Sequence, residues 1–292
     1  MTGDLSILIY HRVLDQRDPL LPGAPDQRTF ARHLRLLRRC FRILPLELAL
    51  DLIAQDKLPA RTLAITFDDG YADNAELALP VLRSLGMHAT FFIATAYLDG
   101  GCMWNDHVIE QVRRLPAQQY TLAQRLQLID DILARLKYLP FAERQQRAIE
   151  LGATPLRPLM MTGAQVGQLA AAGMGIGAHT HRHPILACMD DHEAARDIAT
   201  GKALLEQLCG QPVTLFAYPN GRPGADYRPQ HANMLRSLGF RAALSTSAGI
   251  TRPGSDLFQL ARYTPWQTGS ARFLLAMLLN RYRTGALHGA SC

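Results

Sequence analysis

The chain has 292 residues, 48% hydrophobic and 19% charged, with a formal charge of +6. That balance supports a substantial core and excludes a disordered or coiled-coil chain. Much of the positive charge is arginine dispersed on predicted helices, as at Arg32, Arg35, Arg38 and Arg39. No basic run is interleaved with stacking aromatics, which argues against nucleic acid as a partner.

Leu5–Tyr10 reads as a buried strand and Asp26–Phe41 as an amphipathic helix. Thr62–Phe67 is a second strand, Asn74–Leu85 a helix, and Ala89–Ile93 a third strand. Between Trp104 and about Leu159 no strand is evident, and Gln118–Leu136 and Phe141–Leu151 favour helix. The pattern predicts a helical insertion over 104–159, either packing on the sheet or acting as a lid or substrate-shaping cap. Gly175–His179 is a fourth strand, followed by a long helix near Asp190–Cys209. Val213–Tyr218 is a fifth strand, with a helix around Gln230–Leu238. Arg241–Ser245 is a sixth, and Leu257–Leu260 a further candidate. A C-terminal amphipathic helix over 270–283, with Phe273 to Leu279 apolar and Arg281 and Arg283 basic, is predicted to pack on the barrel. Peripheral membrane contact is its alternative role. Strand–helix alternation of this kind implies a mainly parallel sheet, closed as a barrel or open and doubly wound.

No segment reaches the roughly 18 uninterrupted apolar residues of a membrane span. The first residues run straight into a strand with no basic leader region. Five cysteines (Cys40, Cys102, Cys188, Cys209 and Cys292) are odd in number and form no C-x-x-C pair. These features predict a cytoplasmic protein without a disulfide framework.

The polar residues of interest follow strands, where both architectures place their sites. Ala178-His179-Thr180-His181-Arg182-His183-Pro184 holds three of the chain's ten histidines. His179 and His183 stand four apart, a spacing that turns both imidazoles to one side and suits a divalent metal such as zinc. Thr66-Phe67-Asp68-Asp69-Gly70-Tyr71 places two adjacent carboxylates at the end of an apolar strand. Asp73, with Glu76 three residues on, is the predicted cap of the next helix. Asp68 and Asp69 are then surplus to capping, one available to bind metal and the other to act as a base. Asp69 with His179 and His183 makes a two-histidine, one-carboxylate set.

These two motifs together resemble the polysaccharide deacetylase family (NodB homology, carbohydrate esterase family 4), from Leu5 to about Trp266. The resemblance implies a distorted (β/α)7 barrel with the helical insertion, one domain over 1–292, and metal-dependent removal of acyl groups from N-acylated sugars. Carried over by position, Asp68 is the general base, and Asp69, His179 and His183 are metal ligands. Thr180 orients the loop and contributes to the substrate site, and His181 lies outside the ligand set. Phe216-Ala217-Tyr218-Pro219-Asn220-Gly221 resembles the third family motif. It implies that Tyr218 offers its N–H to the oxyanion and that Pro219 and Asn220 line the substrate site with Tyr71 and Trp104. Phe216 stands where the common family form has arginine. The Asp-x-x-Asp-Trp motif and a C-terminal leucine-x-histidine motif are absent. Arg262 is the predicted replacement for the former, pairing with Asp68. For the latter, Leu8-Ile9-Tyr10-His11-Arg12-Val13 resembles the rearranged branch that acts in exopolysaccharide biosynthesis. His11 is therefore the expected general acid, with His288 its competitor.

The resemblance implies a divalent metal, zinc first, with nickel, cobalt or iron accepting the same ligands. The expected partner is an N-acetylated sugar, glycan or lipid-linked glycan precursor. Two other functions fit the sequence: an amidase or deformylase of a different amide on this fold, and a catalytically inactive glycan-binding module.

Overall fold

The computed structural model describes residues 3–116, 118–265 and 269–280. Seven parallel strands form one sheet: β1 (Leu5–Tyr10), β2 (Arg42–Ile43), β3 (Thr62–Phe67), β4 (Thr90–Ile93), β5 (Gly175–Ala178), β6 (Leu215–Ala217) and β7 (Ala242–Leu244). Their order is β1-β3-β4-β5-β6-β7, with β2 beside the first two residues of β3. The sheet curls into a distorted (β/α) barrel. Segment 257–263 lies between β7 and β1: Leu260 N–H donates to Ala243 O at 2.9 Å, and Tyr263 N–H to Ile7 O at 2.8 Å. The predicted last strand is thus a connection of isolated bridges rather than a continuous ladder.

Side-chain alternation sorts the strands into two layers. Leu5, Ile7, Ala64, Phe92, Leu215, Ala217, Ala242, Leu244 and Leu260 fill the interior. Their alternates, among them Leu8, Ile65, Phe67, Phe91 and Phe216, pack outward against the helices. Phe92 lies over its register partner on β5, where a Cβ on Gly177 would lie 2.3 Å from its ring. Glycine at 177 is what leaves room for that ring.

The outer helices are α1 (Gln27–Cys40), α2 (Leu46–Ala54), α3 (Leu79–Ser84), α4 (Trp104–Arg113), α5 (Leu122–Leu136), α6 (Phe141–Glu150), α7 (Gly163–Ala171), α8 (Asp191–Cys209), α9 (Pro229–Ser237) and α10 (Ser270–Asn280). Helices α4 to α6 occupy the region predicted as the insertion. Two helices were not foreseen. α2 is apolar on most sides, so its 3.6-residue period is faint; Leu46, Ala49, Leu50 and Ile53 join the interior cluster with the barrel residues. α7 carries two glycines that weaken helix propensity. Its readable signal was the Thr162/Gln165 capping box. The predicted helix Asn74–Leu85 opens instead with a π-helical turn, Asn74–Ala78, before α3. Pro80 has no N–H to continue a regular ladder.

α10 packs on the barrel through Phe273 and Met277, both fully buried, and Phe273 stacks on His33 with centroids 4.0 Å apart. Arg281, Arg283, His288 and Trp266 lie outside the described residues. No described helix is long and apolar enough to cross a membrane.

Candidate active site

Strand geometry builds the site. Asp68 N–H donates to Tyr10 O at 2.9 Å, which extends the β1–β3 ladder by one residue. Asp68 therefore shares the inward face with Ala64 and Thr66. His179 N–H donates to Ile93 O at 3.2 Å, extending β4–β5 in the same way. The apolar interior thus gives way to a polar layer at the C-terminal ends of the strands.

Ligand atoms of Asp69, His179 and His183 lie within 4.8 Å of one another, and all three residues are buried. His179 Nε2 and His183 Nε2 approach Asp69 Oδ1 at 3.4 and 3.3 Å. His179 Nδ1 lies 2.7 Å from Ala217 O. A carbonyl only accepts, so Nδ1 carries the proton and Nε2 presents its lone pair to the cluster. Two imidazole nitrogens and a carboxylate oxygen converging in this way fit a divalent metal with positions left open for water and substrate. Burial pushes the Asp69 carboxyl up, but in the metal-free site the imidazoles of His179 and His183, when protonated, donate to it from Nε2 and hold it well below the usual carboxylate range.

Asp68 meets Arg262 in a two-point pair: Nη1 to Oδ1 and Nη2 to Oδ2, both at 2.7 Å. Arg262 Nε donates to Ser245 O at 2.9 Å, so the guanidinium is held from a second side. Both residues are buried. Burial raises the Asp68 carboxyl, while the charges of Arg262 and His179 more than offset it and keep the group below the usual carboxylate range.

His11 is exposed and lines the same cavity of about 310 Å³ as Asp68, Asp69, His179, His183, Trp104 and Asn220. Its backbone is anchored: Asn74 Nδ2 donates to His11 O at 2.9 Å. Asp73 accepts from Arg12 Nε at 2.5 Å and Val13 N–H at 3.2 Å. Asp73 makes no side-chain cap bond to the following helix. Its carboxylate ties the β1 exit to the β3 exit instead, because the barrel brings those loops together. Sequence reasoning assigned it to the wrong partner.

The metal loop is held by neighbours the sequence did not reveal. Thr180, fully buried, donates to His179 O and accepts from His183 N–H at 3.0 Å. Its hydroxyl bridges the two ends of the loop, and the residue is shut off from the cleft rather than lining the substrate site. Asp197 of α8 accepts from His181 N–H at 2.8 Å and Arg182 N–H at 3.1 Å. A Cβ on Gly201 would lie 2.6 Å from Thr180 O, so glycine lets α8 close on the loop. His181 turns away to Thr95 Oγ1, at 2.8 Å. Four of the seven non-glycine residues with positive φ among those described are Asp69, Thr180, His183 and Asn220. Each costs about 1–3 kcal/mol of backbone strain, concentrated here where side chains must be aimed.

The third motif requires a correction. Tyr218 N–H donates to Leu244 O at 3.1 Å, and the ring stacks on Tyr227 with centroids 3.6 Å apart. Its position in the strand alternation points the side chain outward, so Tyr218 belongs to the sheet and the outer core. Pro219 is buried beside it. Asn220 is the residue of this motif that lines the cleft, with a buried Nδ2 that has no partner. Tyr71 is buried, with its hydroxyl 3.2 Å from Asp106 Oδ1, and faces an adjoining cavity.

Arg144 of α6 reaches the metal loop from the helices of 104–150. It is buried, lies 5.1 Å over Trp104, and donates from Nη2 to His183 O at 3.1 Å and from Nη1 to Lys137 O at 3.4 Å. Burial lowers its pKa, and its Nε is unpartnered. Groups that orient a ligand from behind are worth about 10–100-fold in metal affinity. Arg144→Met is expected to weaken divalent-metal binding by about that factor in calorimetric titration of the metal-free protein. An unchanged affinity would remove Arg144 from the site.

A model of the polysaccharide deacetylase family matches residues 55–243. YxkH of Bacillus subtilis (strain 168), provisionally a polysaccharide deacetylase, is 23% identical over 271 residues, covering 91% of this chain and 74% of YxkH. IcaB from Ammonifex degensii has a similar structure, with a TM-score of 0.66 and 21% identity over 96% of this chain and 97% of IcaB. So does the Streptococcus pyogenes deacetylase PplD in complex with acetate, with a TM-score of 0.66 and 19% identity over 95% of this chain and 99% of PplD. The family match spans both motif loops and most of the barrel, and the chain therefore belongs to the polysaccharide deacetylase family of carbohydrate-deacetylating hydrolases.

Proposed function

We propose that this protein hydrolyses the N-acetyl group of an acetylated sugar or glycan, with Asp68 as general base and His11 as general acid. The carrying observation is the Arg262-paired Asp68 beside the converging Asp69, His179 and His183, with His11 on the wall of the same cleft. A divalent cation at that set supplies Lewis acidity toward the amide carbonyl and eases deprotonation of the attacking water. Zinc suits two imidazoles and a carboxylate; nickel, cobalt and iron accept the same donors.

Asp68, kept ionised by Arg262, takes a proton from the water as its oxygen bonds to the carbonyl carbon. Asn220 stands on the cleft wall beside the reacting groups. As the C–N bond breaks, His11 delivers a proton to the departing nitrogen. The products are acetate and a free amino sugar.

Two measurements test this. Acetate release from acetylated amino-sugar oligomers should cease on chelation and return with zinc. Release of formate from formylated substrates without release of acetate would replace the reading with a deformylase. His11→Gln should lower kcat for the amide about 10²–10⁴-fold. Hydrolysis of p-nitrophenyl acetate should be largely spared, because its leaving group departs without a proton. Equal losses on both substrates would remove the acid role from His11.

A further inference from the structure

A second cavity, of about 450 Å³, opens beside the metal cleft and shares His11, Asp69, Asn105 and Leu133 with it. One wall is the loop around Leu20 to Pro25, and the other is α4 and α5, through Ile109, Leu126 and Ile129. The loop and helices form one unit: Leu20 packs with Val112 and Ile129, and Asp18 pairs with Arg113 at 2.6 Å. The volume falls within the range of ligand pockets.

The two facing walls are largely aliphatic where sugar binding would need donors and acceptors; of the neutral polar side chains, Asn105 already donates to the Tyr71 hydroxyl at 3.3 Å. Sugar hydroxyls that leave water require hydrogen-bond partners, which leucine, isoleucine and proline side chains do not offer. The charged groups at this wall are already engaged or at the rim. Arg12 is paired with Asp73, Asp106 lies against the Tyr71 hydroxyl, and Asp130 is exposed.

Placement relative to the reacting groups identifies which end of the substrate faces the cavity. Asp68, the base, lines only the metal cleft, whereas His11, the acid, lines both spaces. The acid serves the departing nitrogen, so the cavity adjoins the amino-sugar side of the scissile bond rather than the acyl side. We propose that it holds an aliphatic chain attached to the sugar that is deacetylated, so that the substrate is a lipid-linked N-acetylated sugar or glycan. This rests on the deacetylase reading and on the role of His11 within it.

The test uses the zinc-loaded full chain and alkyl glycosides of N-acetylglucosamine, from methyl to decyl, below their micelle concentrations. Acetate release gives kcat/KM, and calorimetry gives Kd for each member. Kd should fall by at least about 100-fold from methyl to decyl, less than complete burial of the added methylenes would produce. In Leu126→Gln and Ile109→Gln the decyl-to-methyl ratio of kcat/KM should collapse by about tenfold or more. Deacetylation indifferent to aglycone length overturns the lipid inference and leaves the deacetylase intact. Dependence on the length of the N-acyl chain, with none on the aglycone, overturns it as well. Length-dependent binding without any hydrolysis supports the cavity assignment and rejects the deacetylase reading.

Discussion

Asp68→Asn should lower kcat for amide hydrolysis by about 10²–10⁴-fold, the range for loss of a positioned general base. Metal content should remain near that of the unchanged protein, because the candidate ligand atoms belong to Asp69, His179 and His183. The change is nearly isosteric, so the loss tests proton transfer rather than shape. The variant also leaves the buried Arg262 guanidinium facing a neutral amide in place of a two-point carboxylate. A buried charge that loses its partner costs about 3–5 kcal/mol, so the midpoint of urea unfolding should fall too. Kinetics and mass-spectrometric metal analysis on the folded variant separate the two effects. A kcat within a few-fold of the original would eliminate Asp68 as the base.

Arg262→Met should act from the other side of the same pair. The cation that offsets burial at Asp68 is lost, and burial then pushes that carboxyl upward. Stability should drop by about 3–5 kcal/mol, and the acid limb of the pH–rate profile should move to higher pH. The two proteins should also differ in how stability depends on pH when both are metal-free. In the unchanged protein the native Asp68 pKa lies below its unfolded value of about 4. Its stabilising contribution is fully present above that unfolded value and is lost as the pH falls through the native pKa. In Arg262→Met the native value rises above the unfolded one. The site then destabilises the fold at neutral pH, and that penalty eases on acidification. Urea titrations from neutral pH to about pH 3 read this directly: the contribution of this site stays level down to about pH 4 and then falls in the unchanged protein, whereas in Arg262→Met its penalty shrinks as the pH falls from neutral. Parallel curves for the two proteins would show that Arg262 does not set the charge state of Asp68.

The pair was legible in part. An Asp-Asp dipeptide at the end of an apolar run is costly unless something engages it, and that cost drew attention to Asp68 and Asp69. Naming Arg262 as the partner needed the family resemblance, because 194 residues separate the two in the chain. Tyr218 shows the reverse error. Its motif suggested a free N–H at a strand exit, but the β6–β7 ladder runs one residue further and takes that donor. Asp73 fitted a helix cap on spacing alone, and the barrel presented it with Arg12 and the Val13 N–H.

From the sequence came the strand–helix alternation, the four-apart histidines and the paired carboxylates, and the family resemblance joined Asp69, His179 and His183 into one candidate ligand set. Each is a local pattern: period-2 and period-3.6 burial, histidines four apart, two acids at a strand end. The tertiary structure decided the rest. It curled the sheet, joined β7 to β1 through 257–263, and placed α2 among the interior residues. It brought Asp197, Gly201 and Arg144 against the metal loop and opened an aliphatic cavity beside His11. None of these has a local signature, because each depends on which distant segments closure of the barrel forces into contact.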